Sequence, residues 1–296
     1  MYEYINISGN SGYIESPSRV GVIGIFRNEA ILIDSGNSKG AGVKVLRALE
    51  GEGLVPRAIF ITHAHADHIG GNKVICDRTG CKAYAHGTEY AAMREPVMNP
   101  TLLYGAYPMA PLRHKFLLAD KAPAELLTDE VLPEGITVVE LPGHTYDMVG
   151  YRSAEGVVYI GDALASRETI DKYKLVLATD VARYVETLRK LCTLDAEMFV
   201  PSHAEPCRNI APLARYNIDS VYSVADVLCN ICESPLTAED VTAAAFTHYE
   251  ITPTFEQLAL VGTTVKAYLS WLHDEDRVIP FIEDNRVKWV AKASAS

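Results

Sequence analysis

The sequence predicts a layered α/β protein carrying a smaller, mostly helical unit at its C-terminus. Three observations lead there. Through the first ~210 residues, short apolar runs alternate with helix-length amphipathic stretches. That rhythm changes to long helices and a hairpin near residue 212. A segment dense in histidine follows directly on one of the buried strands.

The elements follow in order. Val20 to Phe26 and Ala30 to Asp34 read as strands joined by a polar turn at Arg27-Asn28-Glu29. Gly42 to Leu49 reads as a helix ended by Gly51 and Gly53. Ala58 to Thr62 is a short buried strand, Ile69 to Asp77 is helical, and Lys82 to Ala85 is a strand. Ile136 to Leu141, Val149 to Arg152 and Val157 to Ile160 are further strands, Val181 to Leu191 a helix, and Met198 to Val200 a strand. Residues 95–121 break the rhythm with Pro96, Pro100, Tyr104, Tyr107, Pro108 and Pro111; their apolar content predicts an ordered flap near a pocket.

These readings divide the chain into a unit over 1–212, with the flap inserted, and a unit over 213–296. The second begins with a long helix, Ala214 to Ile231. Ser234-Pro235-Leu236-Thr237 starts another helix, with Glu239 and Asp240 in its first turn. Phe255 to Leu272 is strongly amphipathic, and Val278 to Ile282 and Val287 to Val290 form a hairpin. Helix, helix, hairpin is the outline of a winged helix. From Arg215 onward, however, 6 Lys/Arg stand against 12 Asp/Glu. That argues for packing or dimerisation rather than DNA binding.

Composition agrees. The 296 residues are 48% hydrophobic and 22% charged, ordinary for a globular protein. A net charge of −11 repels nucleic acid on average. No apolar run approaches the ~18 residues of a membrane span, and the N-terminus shows no signal-peptide pattern. The expected setting is the cytoplasm, the expected partner a small-molecule substrate, and the C-terminal helices suit a homodimer. Cys229-Asn230-Ile231-Cys232 has no second ligand pair and reads as an inert helical pair; Cys76 and Cys81 flank a turn and read as free thiols.

The chemistry concentrates in Thr62-His63-Ala64-His65-Ala66-Asp67-His68-Ile69-Gly70-Gly71. Imidazole and carboxylate suit zinc and similar borderline metals. Residues two apart on an extended loop point the same way, so His63 and His65 can reach one metal. Asp67 and His68 can reach a second as the chain bends into a helix. Gly70 and Gly71 permit a tight turn and close helix packing.

This segment resembles the H-x-H-x-D-H signature of the metallo-β-lactamase superfamily at every defined position. Over roughly residues 1–210 other segments agree in order: Leu32-Ile33-Asp34-Ser35-Gly36, Leu141-Pro142-Gly143-His144-Thr145, Tyr159-Ile160-Gly161-Asp162-Ala163-Leu164 and Pro201-Ser202-His203. The resemblance implies an αββα sandwich, here with the winged-helix-like appendix. It implies a first metal held by His63, His65 and His144, a second by Asp67, His68 and His203, and Asp162 bridging both. Taken singly, His144 reads as a turn residue, Asp162 as a helix cap and His203 as a buried hydrogen-bonded histidine; together those readings are weak.

The implied activity is hydrolysis of a small ester, thioester or lactone. Two divalent ions, zinc first and manganese or iron as alternatives, would deprotonate a shared water, and Asp67 would orient it. Tyr104, Tyr107 and His114 are the flap's candidate substrate contacts, and His86 is a candidate for the pocket edge. Departures from the family pattern are Tyr146 and Asp147 after His144-Thr145, and Ala204-Glu205 after His203. Asp162, where β-lactamases of one class carry a cysteine, argues against that activity. His65 argues against the oxygen-reducing branch, and the acidic charge argues against tRNA processing. The resemblance is to the glyoxalase II-like branch, with a phosphodiesterase or ribonuclease, a mononuclear-iron persulfide dioxygenase and a non-enzymatic metal-binding regulator as alternatives. Arg208 and Arg215 are the only nearby basic residues for glutathione.

Overall fold

The computed structural model describes residues 2–292; Met1, first residue of the N-terminal segment read above, and 293–296, the end of the C-terminal unit, lie outside the described residues. The chain opens with antiparallel strands β1 (Glu3–Ser8), β2 (Ser11–Glu15), β3 (Val20–Phe26) and β4 (Glu29–Ile33). Helix α1 (Lys39–Gly51) crosses over to β5 (Val55–Ile61), which runs parallel to β4. The short helices α2 (Ala66–Ile69) and α3 (Asn72–Thr79) lead to β6 (Lys82–Ala85). After α4 (Gly87–Arg94) and α5 (Met98–Tyr104), β7 (Ala124–Leu126) completes a seven-stranded sheet in sequence order.

A second sheet follows: β8 (Thr137–Glu140), β9 (Val149–Arg152), β10 (Val157–Gly161) and, after α6 (Arg167–Tyr173) and α7 (Val181–Thr193), β11 (Met198–Pro201). Its order is β11-β10-β9-β8, with β10 and β11 parallel and β9 antiparallel to both its neighbours. Then come α8 (Ala211–Ile231), α9 (Ala238–His248), α10 (Phe255–Asp274) and the hairpin β12 (Val278–Glu283) and β13 (Arg286–Ala291). Leu236 pairs with Trp289 through an isolated antiparallel bridge beside the hairpin.

The two sheets stack face to face because their central strands are apolar on both sides. In β4, Ile31 and Ile33 point between the sheets while Ala30 and Leu32 point outward to α1 and α3. In β10, Val157 and Tyr159 face inward and Val158 and Ile160 face α7 and α8. The period-two alternation of strand side chains thus feeds two cores from one strand. Two inter-sheet tyrosines satisfy their hydroxyls across the gap: Tyr151 donates to the Ile61 carbonyl at 2.9 Å, and Tyr159 to that of Gly12 at 2.9 Å. The result is the expected αββα sandwich.

The outer core of the second sheet continues into the C-terminal helices. One buried cluster joins Leu188 and Leu191 of α7 to Leu228 of α8, Val265 and Leu269 of α10, and Val278. Capping boxes at Thr237/Asp240 and Thr254/Gln257 start α9 and α10. The flap packs on α10, where Thr263 Oγ1 donates to the Leu103 carbonyl at 2.9 Å. Among the described residues, no helix is long and apolar enough to cross a membrane. All six cysteines are free.

Differences from expectation have local causes. The single helix expected over Ile69 to Asp77 is two, broken at Gly70-Gly71. A side chain on Gly71 would lie 2.2 Å from the Ser35 carbonyl oxygen, so close packing excludes it there. Strands β1, β2 and β7 and helices α4, α5 and α6 were not anticipated. Their patterns are short or interrupted, as in Asn6 to Gly12 and the three-residue β7.

Candidate metal centre

Both sheets present their parallel strand ends at one edge, and the site is built there. β4 ends at Asp34, β5 runs into the histidine segment, β8 leads to His144, β10 to Asp162 and β11 to His203. The side chains form two groups: His63, His65 and His144; and Asp67, His68, Asp162 and His203. Within each, the donor atoms lie within 4.8 Å of one another. The two groups meet at Asp162, whose Oδ1 is 3.4 Å from His68 Nε2 and whose Oδ2 is 3.7 Å from His144 Nε2 and 3.6 Å from His203 Nε2. All seven residues singled out in the sequence are therefore brought together. Ser166, not Asp162, caps α6.

The imidazoles are aimed from behind. His68 Nδ1 lies 2.8 Å from Asp34 Oδ2, and the same carboxylate accepts the Thr62 N–H and hydroxyl, each at 2.8 Å. His144 Nδ1 donates to the Leu177 carbonyl at 2.9 Å, and His203 Nδ1 to that of Pro17 at 2.9 Å. His63 Nδ1 faces Thr62 Oγ1 at 3.2 Å. Each bond leaves the other ring nitrogen directed at the cluster, the arrangement that orients metal-binding histidines. Asp34 holds a positive φ of 64°, a region that glycine enters freely and aspartate adopts here with its carboxylate fixed by Thr62 and His68. At Gly143, φ is 126° and an added Cβ would lie 2.3 Å from the Tyr184 backbone, so only glycine brings His144 in this close.

The electrostatics divide the groups. Burial holds His63 well below its ordinary value, His65 at about 3, and His144 low. These three are neutral donors. Burial also works against charge on His68, but Asp67, Asp162 and Asp34 outweigh it and raise that imidazole well above its usual range. The Asp162 carboxylate pushes His203 up to about 9. Burial would raise Asp67 and Asp162, yet the facing imidazoles hold both below the usual carboxylate range.

The donor set fits metal ions. His63 Nε2, His68 Nε2 and Asp162 Oδ1 are buried without a hydrogen-bond partner, a cost the fold tolerates only where something else satisfies them. His144 Nε2 and His65 Nδ1 face each other at 3.0 Å. With the His144 ring proton on Nδ1 and committed to the Leu177 carbonyl, Nε2 offers a lone pair that a cation shared with His65 would satisfy. The cluster could hold metal ions in both groups.

Two cavities open on it. A groove of about 570 Å³ is lined by His144, Asp162 and His203, with Arg19, Lys172 and Glu205 among its polar residues. A second, of about 340 Å³, is lined by His65 and Asp67 and by leucines of the flap and α10. Tyr104, Tyr107 and His114 line neither. Tyr107 is 68% exposed and accepts from Arg113, while His114 pairs with Glu256 at 2.8 Å. His86 sits at the start of α4, and Arg208 pairs with Glu197. Sequence reasoning missed the backbone partners at Pro17 and Leu177, which carry no side-chain signal. It also missed Glu89, which accepts the Ala64 N–H at 2.8 Å, and Asn99, which donates to the Ala64 carbonyl.

A family model described as the metallo-beta-lactamase superfamily matches residues 14–203, a span that contains every residue of the two groups. The chain belongs to this superfamily. An uncharacterized protein of Mycobacterium tuberculosis is 29% identical, covering 47% of this chain and 64% of its own length. The probable metallo-hydrolase YflN of Bacillus subtilis is 28% identical over 60% of this chain and 75% of its own. A hydroxyacylglutathione hydrolase of Pectobacterium atrosepticum is 30% identical over 47% of this chain and 44% of its own. The chain thus spans 64% of the length of the Mycobacterium tuberculosis and Mycobacterium bovis relatives. Among solved structures, a beta-lactamase domain protein from Burkholderia ambifaria aligns with a TM-score of 0.71 at 17% identity, covering 98% of this chain and 93% of that one. A metallo-beta-lactamase family protein from Thermus thermophilus aligns at 0.68 and 18% identity, covering 99% and 98%. Both alignments extend the shared fold through the C-terminal helices.

Proposed function

We propose that this superfamily member is a hydrolase that holds two divalent cations, zinc foremost, and cleaves a small ester, thioester or lactone. The observation that carries the reading is Asp162, whose two carboxylate oxygens face the two donor groups from between them. His63, His65 and His144 would hold one ion, Asp67, His68 and His203 the other. When bound, such a pair supplies an acidified water near neutral pH and positive charge for a developing oxyanion.

The chain's own residues do the rest. Asp67 Oδ2 accepts from Ser18 Oγ at 3.3 Å and lies 3.0 Å from His203 Nε2, which sets the carboxylate among the second group's donors, where it would orient the attacking water. The leaving group departs into the polar groove, where Arg19 and Lys172, rather than Arg208 or Arg215, are the basic residues, with Arg19 tied to Glu15 and Glu205. Glutathione recognition has only Lys172 to draw on outside the Arg19 ion pairs, so a smaller or less acidic leaving group fits the groove better.

Elemental analysis of protein purified without added metal, paired with a screen of thioesters, lactones and phosphodiesters, tests this. About two zinc or manganese ions per chain and loss of turnover on chelation are expected. About one iron per chain would move the persulfide dioxygenase to first place, and turnover by rigorously metal-free protein would sink the mechanism.

A further inference from the structure

The 340 Å³ cavity beside the donor groups differs in character from the polar groove on the other side. His65 and Asp67, with Asn37 and Asn99, supply its polar lining. Leu103, Phe116 and Leu117 of the flap, Leu177 of the loop before α7, and Leu260 of α10 form most of its apolar lining. Leucines that complete a core are fully buried; Leu103, Leu117, Leu177 and Leu260 are only half-buried, and Phe116 is 65% exposed. Their free apolar surface converges on one space from three separate segments. That space lies in the size range of small-molecule sites.

We propose that this cavity receives an apolar acyl or alkyl chain of the substrate, and that Leu260 of α10 limits the chain length it admits. The hydrolase reading supplies only the identification of this occupant as substrate. The two openings then divide an amphiphilic molecule. Its reactive carbonyl sits at the donor groups, its apolar chain lies between flap and α10, and its polar part lies in the groove with Lys172. The C-terminal helices thereby take part in specificity, since α10 is a wall of the cavity and also anchors the flap through Thr263 and Leu103.

The test is calorimetric titration of the full chain, as purified, with straight-chain carboxylates from acetate to decanoate. Binding needs no turnover, so it separates this proposal from the hydrolase reading. Affinity is expected to rise by about four-fold per methylene until the cavity is full. Leu260→Trp should stop the rise at a shorter chain, and Leu260→Ala should extend it; far-UV dichroism checks folding, and the alanine variant still reads the limit if the tryptophan does not fold. Equal affinity for acetate and octanoate, or a limit that neither variant moves, would overturn the proposal. Esters varied separately on the acyl and alcohol sides then show which chain the cavity receives, and dependence on neither side would also overturn it.

Discussion

The Asp34 carboxylate and the His68 imidazole, 34 positions apart in sequence, meet at 2.8 Å in a pocket sealed from solvent. Asp34 also holds the Thr62 backbone, so one side chain fixes both a donor ring and the strand end that carries the histidine segment. Asn keeps the shape and tolerates the positive φ at this position. Asp34→Asn should lower metal affinity by about 10- to 100-fold. Competition titration against a chromophoric chelator measures it; unchanged affinity would show that Asp34 does not orient His68.

Asp162 faces both donor groups, so its removal should affect both ions. Asp162→Ala is expected to bring metal content clearly below two per chain and to cut kcat by at least about 100-fold. Elemental analysis of the variant beside the wild-type protein decides it. Retention of both ions at full occupancy would mean that the carboxylate stands between the groups without binding.

Glu89 is buried at 4% exposure, and burial raises its carboxyl above the ordinary value of 4.5. In the folded state it therefore keeps its proton to higher pH than in the unfolded chain. The unfolded chain loses that proton first, so stability contributed at this position is full below pH 4.5 and declines as pH climbs from there to the raised value. Glu89→Gln keeps an acceptor for the Ala64 N–H and removes the charge. Melting temperature of the variant relative to wild type should thus climb as pH passes upward through that window; a constant difference would be the contrary result.

Tyr151 crosses between the sheets, fully buried, to the Ile61 carbonyl. Tyr151→Phe should cost about 1–2 kcal/mol by leaving that acceptor unpaired. Urea unfolding followed by tryptophan fluorescence gives the number. A loss near zero would show that the Ile61 carbonyl is satisfied without the hydroxyl.

Gly143 is the sharper steric case. Gly143→Ala places a methyl against the Tyr184 backbone in a backbone region that alanine avoids. The expected cost is about 1–3 kcal/mol, with His144 displaced from its group and metal affinity reduced. Thermal melts and metal titration read the two effects separately.

The central strands and the donor set were legible in the sequence for one reason: each is strongly patterned. Val20–Phe26 carries a run of apolar residues, Lys82–Ala85 and Val149–Arg152 lie between clear breaks, and the bounds of all three match the structure. His63 to His68 announces itself by residue type and spacing. The edge strand β1 has no fully buried residue and β7 is only three residues long, so no core-facing pattern stands out. The flap was legible as an ordered insertion but not by its contacts. Tyr104 and Tyr107 look like ligands in sequence because they carry polar tips, yet it is the plain leucines Leu103 and Leu117 that turn toward the donor groups. Which face of a seven-residue helix looks inward depends on α10, more than a hundred residues later, and no local pattern encodes that.

His203 reaches Asp67 across 136 positions of chain, and His144 reaches His65 across 79. A ribosome that has released only the first sheet has made a cluster with three gaps in it. Completion of the second donor group has to wait for His203 after β11, the last strand of the sandwich to be synthesised, and for the slow long-range pairing that seats it. Metal uptake during refolding is then a clock for the final closure of the two sheets. A chain cut between α7 and β11 would keep the whole first donor group and lose His203 from the second.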